Sequence, residues 1–195
     1  KNLRVLWVRA LLAAAGELDD DVARELLPAS SRWVVSAPLA ATVWRPALAK
    51  LAWIKQRTEF IDSALDDFLA KTDGEGAEPQ VVLLGSGYDT RAIRYRDSRV
   101  RFFEVDLKSV VDVKRRMVQG CYPSSNAIPP ALGLDFNEVD YRSSDPFVRL
   151  REELGLDDSR PTLVVCEALL FYLSPPAKRS LIAAASALIQ RSGSA

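Results

Sequence analysis

Val81 to Arg91 reads V-V-L-L-G-S-G-Y-D-T-R, an apolar run that gives way to two closely spaced glycines. Four branched apolar residues ending at Gly85 predict a short strand buried on both faces, the situation of a parallel sheet sandwiched between helices. Gly85 and Gly87 lack a Cβ, so the chain can turn sharply there and a ligand can approach the bare backbone. A second apolar run, Phe102 to Val105, is interrupted by Glu104 and closed by Asp106, nineteen residues beyond Gly87. A carboxylate at the tip of the second strand of such a unit is placed to accept both hydroxyls of a ribose. The competing reading, in which the glycines only make the corner between a strand and a helix, is weakened by that acid at the expected distance.

The pattern repeats outward from this point. Strands are expected at Gln80 to Leu84, Arg101 to Val105, near Ala131 to Leu134, and at Thr162 to Cys166. Between and after them come a helix or turn from Thr90 and helices at Leu107 to about Val118, Pro146 to Leu154 and Pro176 to about Gln190. Alternation at this spacing gives an α/β fold with a doubly wound parallel sheet and its ligand above the carboxyl ends of the strands.

Upstream, residues 1–15 read as a helix ended by Gly16, and Asp19 to Asp21 offer N-cap oxygens to a short helix that Pro28 stops. Ser30 to Trp53 mixes Ala, Trp and Pro; Trp33, Trp44 and Trp53 are expected to pack in a core rather than line an aromatic substrate pocket, and Pro38 and Pro46 break the segment into pieces. Ile54 to Lys71 is amphipathic, with Ile54, Ile61, Leu65, Phe68 and Leu69 on one stripe and Glu59, Asp62, Asp66 and Asp67 facing away. The division that follows is a helical cap over residues 1–53 and a ligand-binding domain over residues 54–195.

The 195 residues suffice for a substantial core, and 26 basic residues balance 26 acidic ones, so no net field draws the chain to nucleic acid or a membrane. Cys121 and Cys166 form no disulfide framework or metal motif, which makes a reducing, intracellular and cytoplasmic setting the default, an organelle remaining open. The arginine-flanked opening, R-V-L-W-V-R-A-L-L-A-A-A-G, reads as a plain helix rather than a leader remnant and is too short to span a bilayer. Histidine is absent, so any chemistry must proceed without imidazole.

Four blocks carry a family resemblance: G-S-G-Y-D-T-R at 85–91, F-F-E-V-D at 102–106, G-L-D-F at 133–136 and C-E-A-L-L-F-Y-L-S-P at 166–175. Together they resemble the leucine carboxyl methyltransferase family, whose members are S-adenosylmethionine-dependent methyltransferases with a Rossmann-like sheet. The resemblance implies that Gly85 and Gly87 pass under the methionine part of S-adenosyl-L-methionine and that Arg57 pairs with its carboxylate. It implies that Asp106 holds the ribose, with Glu104 as second choice. Asp135 and Phe136 would flank the adenine, and Glu167 would face the cationic end.

From the residues alone, Arg57 can be a solvated charge and Asp135 a cap for the next segment, whereas Glu167, set between V-V-C and A-L-L-F-Y, requires a partner. Tyr88 and Tyr172 are expected to pack in the core or on the cofactor, and Asp89, Thr90 and Arg91 to serve the loop's geometry. The family's further strands are not in this sequence, which reads as truncated after the fourth strand, and the first 53 residues match only loosely.

The implied reaction is methyl transfer to a carboxylate of a protein or small molecule, an acceptor already ionised at neutral pH. A nicotinamide-dependent oxidoreductase is the alternative enzyme, opposed by Thr90 standing where G-x-G-x-x-G has its last glycine. A non-catalytic cofactor-binding fragment is the other alternative. The sequence does not fix the oligomeric state.

Overall fold

The computed structural model describes residues 2–36, 46, 49–74, 76, 78–123, 128–141 and 145–192. Pro38 and Trp44 lie outside the described residues. Helices α1 (Asn2–Ala14), α2 (Asp21–Glu25), α3 (Ala29–Ser36) and α4 (Ala52–Thr72) precede β1 (Gln80–Leu84) and the short α5 (Arg91–Arg94). Then come β2 (Arg101–Asp106), α6 (Lys108–Cys121), β3 (Ala131–Gly133), α7 (Val148–Leu154), β4 (Thr162–Cys166), a 3₁₀ turn (Leu169–Tyr172) and α8 (Pro175–Arg191). The four strands form one parallel sheet in the order β3-β2-β1-β4, so β1 and β2 are the interior strands.

The all-apolar β1 follows from its two-sided burial. Val82 and Leu84 join Phe103, Val105, Leu150 and Leu181 on the face covered by α7 and α8, while Val81 and Leu83 join Phe102, Leu65 and Ala92 on the other. Each of these β1 side chains contributes roughly 1.5–3 kcal/mol relative to exposure, an upper figure for a chain already partly collapsed when unfolded. A third cluster knits α1, α2 and α3 to Ile54 of α4, Ile93 of α5 and Val118 of α6. Asp20 caps α2 as its sequence suggests, accepting from the Ala23 N–H at 3.1 Å.

The tryptophans depart from expectation. Trp33 is 77% and Trp53 53% exposed, and neither joins a buried cluster. Trp53 instead lies under the Arg57 guanidinium, 4.9 Å from ring centroid to Cζ, a position that needs only one turn of helix between the two. On α4 the predicted stripe turns inward, but two of the acids opposite it are engaged. Asp62 takes hydrogen bonds from Arg91 and Arg94, and Asp66 accepts from the Tyr95 hydroxyl at 2.7 Å. Helical periodicity cannot anticipate these bonds, because α5 covers the flank of α4 that the pattern assigns to solvent. Among the described residues no helix is long and apolar enough to cross a membrane.

Candidate functional site

The loop after β1 is pinned to β2 before it turns. The N–H groups of Gly85 and Ser86 both donate to the Val105 carbonyl, at 2.8 and 3.2 Å. Gly85 and Gly87 adopt φ of +66° and +50°, a region that side chains disfavour. A Cβ on Gly85 would stand 2.9 Å from the Cβ of Leu169, so that corner has no space for one. Beneath the loop and beyond the carboxyl ends of the strands opens a cavity of about 570 Å³.

Seven of the eight sequence-predicted residues line this cavity: Arg57, Gly85, Gly87, Asp106, Asp135, Phe136 and Glu167. They come from α4, the β1 loop, and the segments at the ends of β2, β3 and β4. Tyr88 and Tyr172 line it as well, Tyr172 being 59% exposed. Burial, followed by the nearby Asp106 charge, raises the Tyr88 hydroxyl's pKa.

Glu104 does not line the cavity. It shares strand parity with Asp106, but α6 closes over it, and the Lys114 ammonium donates to its Oε1 at 2.6 Å with both side chains almost fully buried. Its pKa is raised because burial outweighs the lysine's attraction. The ribose role considered for it therefore loses its spatial basis, and of the two β2 acids it is Asp106 that lines the cavity.

Asp106 is oriented by backbone donors: Oδ2 accepts from Gly87 N–H and Oδ1 from Leu107 N–H, each at 2.7 Å. A carboxylate has about four acceptor positions, so two remain for a ligand. Asp135 caps its own turn through the Asn137 N–H at 2.9 Å and lines the cavity too, so the two readings of that residue coexist. Phe136 is buried in the sheet's core with one face on the cavity.

Glu167 has the partner its surroundings demand, and a second one. Arg57 Nε donates to Oε1 at 2.8 Å and Arg91 Nη1 to Oε2 at 2.9 Å. Ala168, directly after it, holds φ of +59°, a left-handed conformation uncommon for alanine, which turns the chain into the 3₁₀ segment.

Arg91 is the residue that sequence reasoning undervalued. Its side chain is wholly buried, and it donates to Asp89 at 2.6 Å, Asp62 at 2.6 Å, Glu167 at 2.9 Å and the Thr58 carbonyl at 3.2 Å. Burial opposes the charge, but Asp89, Asp62 and Glu167 together raise its pKa further above the ordinary value. For Asp89, burial works upward, yet Arg91, Arg9 and Lys114 and the Arg91 N–H hold the carboxyl well below its usual range. Thr90, beside it, is buried and bonded to Arg9 and Asp20, at 2.8 Å in each case. The available signal was the spacing itself, an arginine two residues from an aspartate at the start of a buried helix, but its partners on α4 and after β4 are distant in sequence.

The set can recognise a zwitterionic, ribose-bearing ligand: a guanidinium and a carboxylate side by side, a carboxylate over a bare glycine loop, and a further acid beside an aromatic wall. The chain is 32% identical over 193 residues to a protein of Mycobacterium avium named "Putative S-adenosyl-L-methionine-dependent methyltransferase", covering 92% of this chain and 57% of that relative. A protein of the same name from Mycobacterium ulcerans is 36% identical over 119 residues, 60% of this chain and 36% of the relative. The chain thus spans little more than half the length of the first of these. It matches the leucine carboxyl methyltransferase family over residues 2–186, nearly its whole extent, and belongs to that family.

Proposed function

We propose that this chain binds S-adenosyl-L-methionine and serves a methyltransferase whose acceptor is a carboxylate, on a protein or a small molecule. The observation that carries the reading is the convergence of Arg57, Glu167, Asp106 and Asp135 on one cavity beneath a glycine loop that has no room for a Cβ at Gly85. The residues present fit the cofactor. Arg57 and Glu167 would hold its amino-acid end, Asp106 the ribose, Asp135 and Phe136 the adenine, with Gly85 and Gly87 presenting bare backbone to the methionine portion. Residues 1–53 would act as a helical cap, α1 supplying Val5 and Leu6 to the cavity wall.

When bound, the cofactor supplies a methyl group on a sulfonium, an already excellent leaving group. The protein's task is then positioning and exclusion of water, which can lower a barrier by roughly 7–11 kcal/mol when the reacting atoms are held near attack geometry. A carboxylate acceptor is ionised at neutral pH and needs no base, which suits a chain without histidine. The Tyr88 hydroxyl, which lines the cavity, is shifted upward by burial and the Asp106 charge, away from the range of a base at neutral pH.

Incubation with [13C-methyl] cofactor and matched panels of carboxylic acids and alcohols tests the acceptor class. Label recovered as methyl esters supports the proposal, and label recovered only as ethers rejects it.

A further inference from the structure

The two oxygens of Glu167 are held by two different arginines, Arg57 on Oε1 and Arg91 on Oε2, and these differ sharply in setting. The Arg57 side chain is 26% exposed, lines the cavity, and makes its ion pair with Glu167. The Arg91 side chain is wholly buried, does not line the cavity, and is fixed from three directions by Asp62, Asp89 and the Thr58 carbonyl. Only Nε of Arg57 is bonded to Glu167, so a ligand carboxylate that recruits the remaining nitrogens of Arg57 would share that guanidinium with Glu167. Glu167 would then have one cation shared with the ligand and one fixed cation, Arg91, which also carries Asp62 and Asp89.

We infer that Arg91 is a positioning residue: it keeps Glu167 aimed into the cavity while Arg57 is shared with the ligand, so that the pair can accept an ammonium and a carboxylate together. The inference rests on the proposed cofactor reading. The geometry fits the task, because a guanidinium can serve Asp62 through Nε and both Asp89 and Glu167 through Nη1 while Nη2 reaches the Thr58 carbonyl. A lysine there keeps the charge but has a single nitrogen and cannot span the three carboxylates in these directions. Glu167 is thus bonded by Arg57 from α4 and Arg91 from α5, and Arg91 in turn carries Asp62 from α4 and Asp89 from the loop.

Two probes separate positioning from mere support of the fold. S-adenosylhomocysteine carries the amino-acid group; 5′-methylthioadenosine has the same nucleoside and sulfur without it. In titrations of the full chain, Arg91→Lys, checked for a cooperative unfolding transition, should lose roughly tenfold or more in affinity for S-adenosylhomocysteine and stay within about twofold for methylthioadenosine, as expected when one charge-assisted contact is misplaced. In a Glu167→Gln background the same substitution should cost less than about twofold, because the two act as one unit. Equal loss of both probes, or full loss persisting in the Glu167→Gln background, overturns the inference and leaves Arg91 a scaffold residue. Absence of S-adenosylhomocysteine binding by the unaltered chain would instead overturn the cofactor reading itself, so the two failures are distinguishable.

Discussion

Two carboxylates belong to strands that flank β1 on either side, Glu104 within β2 and Glu167 just after β4; each has a cation within 3 Å, and they have opposite surroundings. Glu104 on β2 is sealed with Lys114 under α6, side chains 2% and 4% exposed, and lines only a small crevice. Glu167 after β4 meets Arg57 at the cavity, side chains 14% and 26% exposed, with Arg91 behind it. Both are carboxylate–cation pairs. What differs is whether a ligand can compete for one member: a sealed pair can only hold structure, whereas an open pair backed by a second cation can exchange partners.

The largest expected effect breaks the sealed pair. Lys114→Met leaves Glu104 buried without its cation and should destabilise the chain by about 3–5 kcal/mol near neutral pH, read from the urea midpoint. The loss should shrink in acid, as the orphaned carboxyl takes up a proton. A loss under about 1 kcal/mol at pH 7 would mean the pair is not sealed as described.

Next is the open pair. Glu167→Gln should cost ~10- to 100-fold in S-adenosylhomocysteine affinity, about 1.4–2.8 kcal/mol, with a smaller change in stability than Lys114→Met. The reverse ranking would erase the contrast between the two sites. Asp106→Ala should weaken the same ligand several-fold to roughly a hundredfold, since a ribose diol would lose charge-assisted bonds. Unchanged affinity in that folded variant would remove Asp106 from the site.

The smallest effect concerns pH. The folded-state pKa of Glu104 is raised, so its contribution to stability is fully present below its ordinary value of 4.5 and is lost as pH rises through the folded value. Asp89 is shifted the other way: its contribution is present above its ordinary value of 3.8 and is lost only in stronger acid. Glu104→Gln should therefore gain on the unaltered chain as pH is raised from 4.5, in urea midpoints measured across that range. A parallel pair of pH curves would contradict the assigned direction.

The sheet was legible because its strands are short apolar runs bounded by turn signals, and β1, buried on both faces, could hardly read otherwise. The cavity residues were legible chiefly through four signature blocks in register, while composition and periodicity alone left Arg57 and Asp135 ambiguous. Three features were out of reach for physical reasons. Glu104 and Asp106 share a strand face, so only the position of Lys114 on α6 separates their fates. Asp62 falls on the polar side of α4, and nothing in a helical repeat reveals that Arg91 from another element lies against it. Trp33 and Trp53 belong to a segment broken by prolines, where no period exists to say which way a large ring faces.

The open carboxylates and the glycine loop are proposed to hold together one adenosyl amino acid. Calorimetric titration of the unaltered chain with S-adenosylhomocysteine and, separately, with NAD tests it most directly. Saturable binding of the first at one site per chain and none of the second is the predicted result; no binding of S-adenosylhomocysteine, or equal binding of NAD, would contradict it.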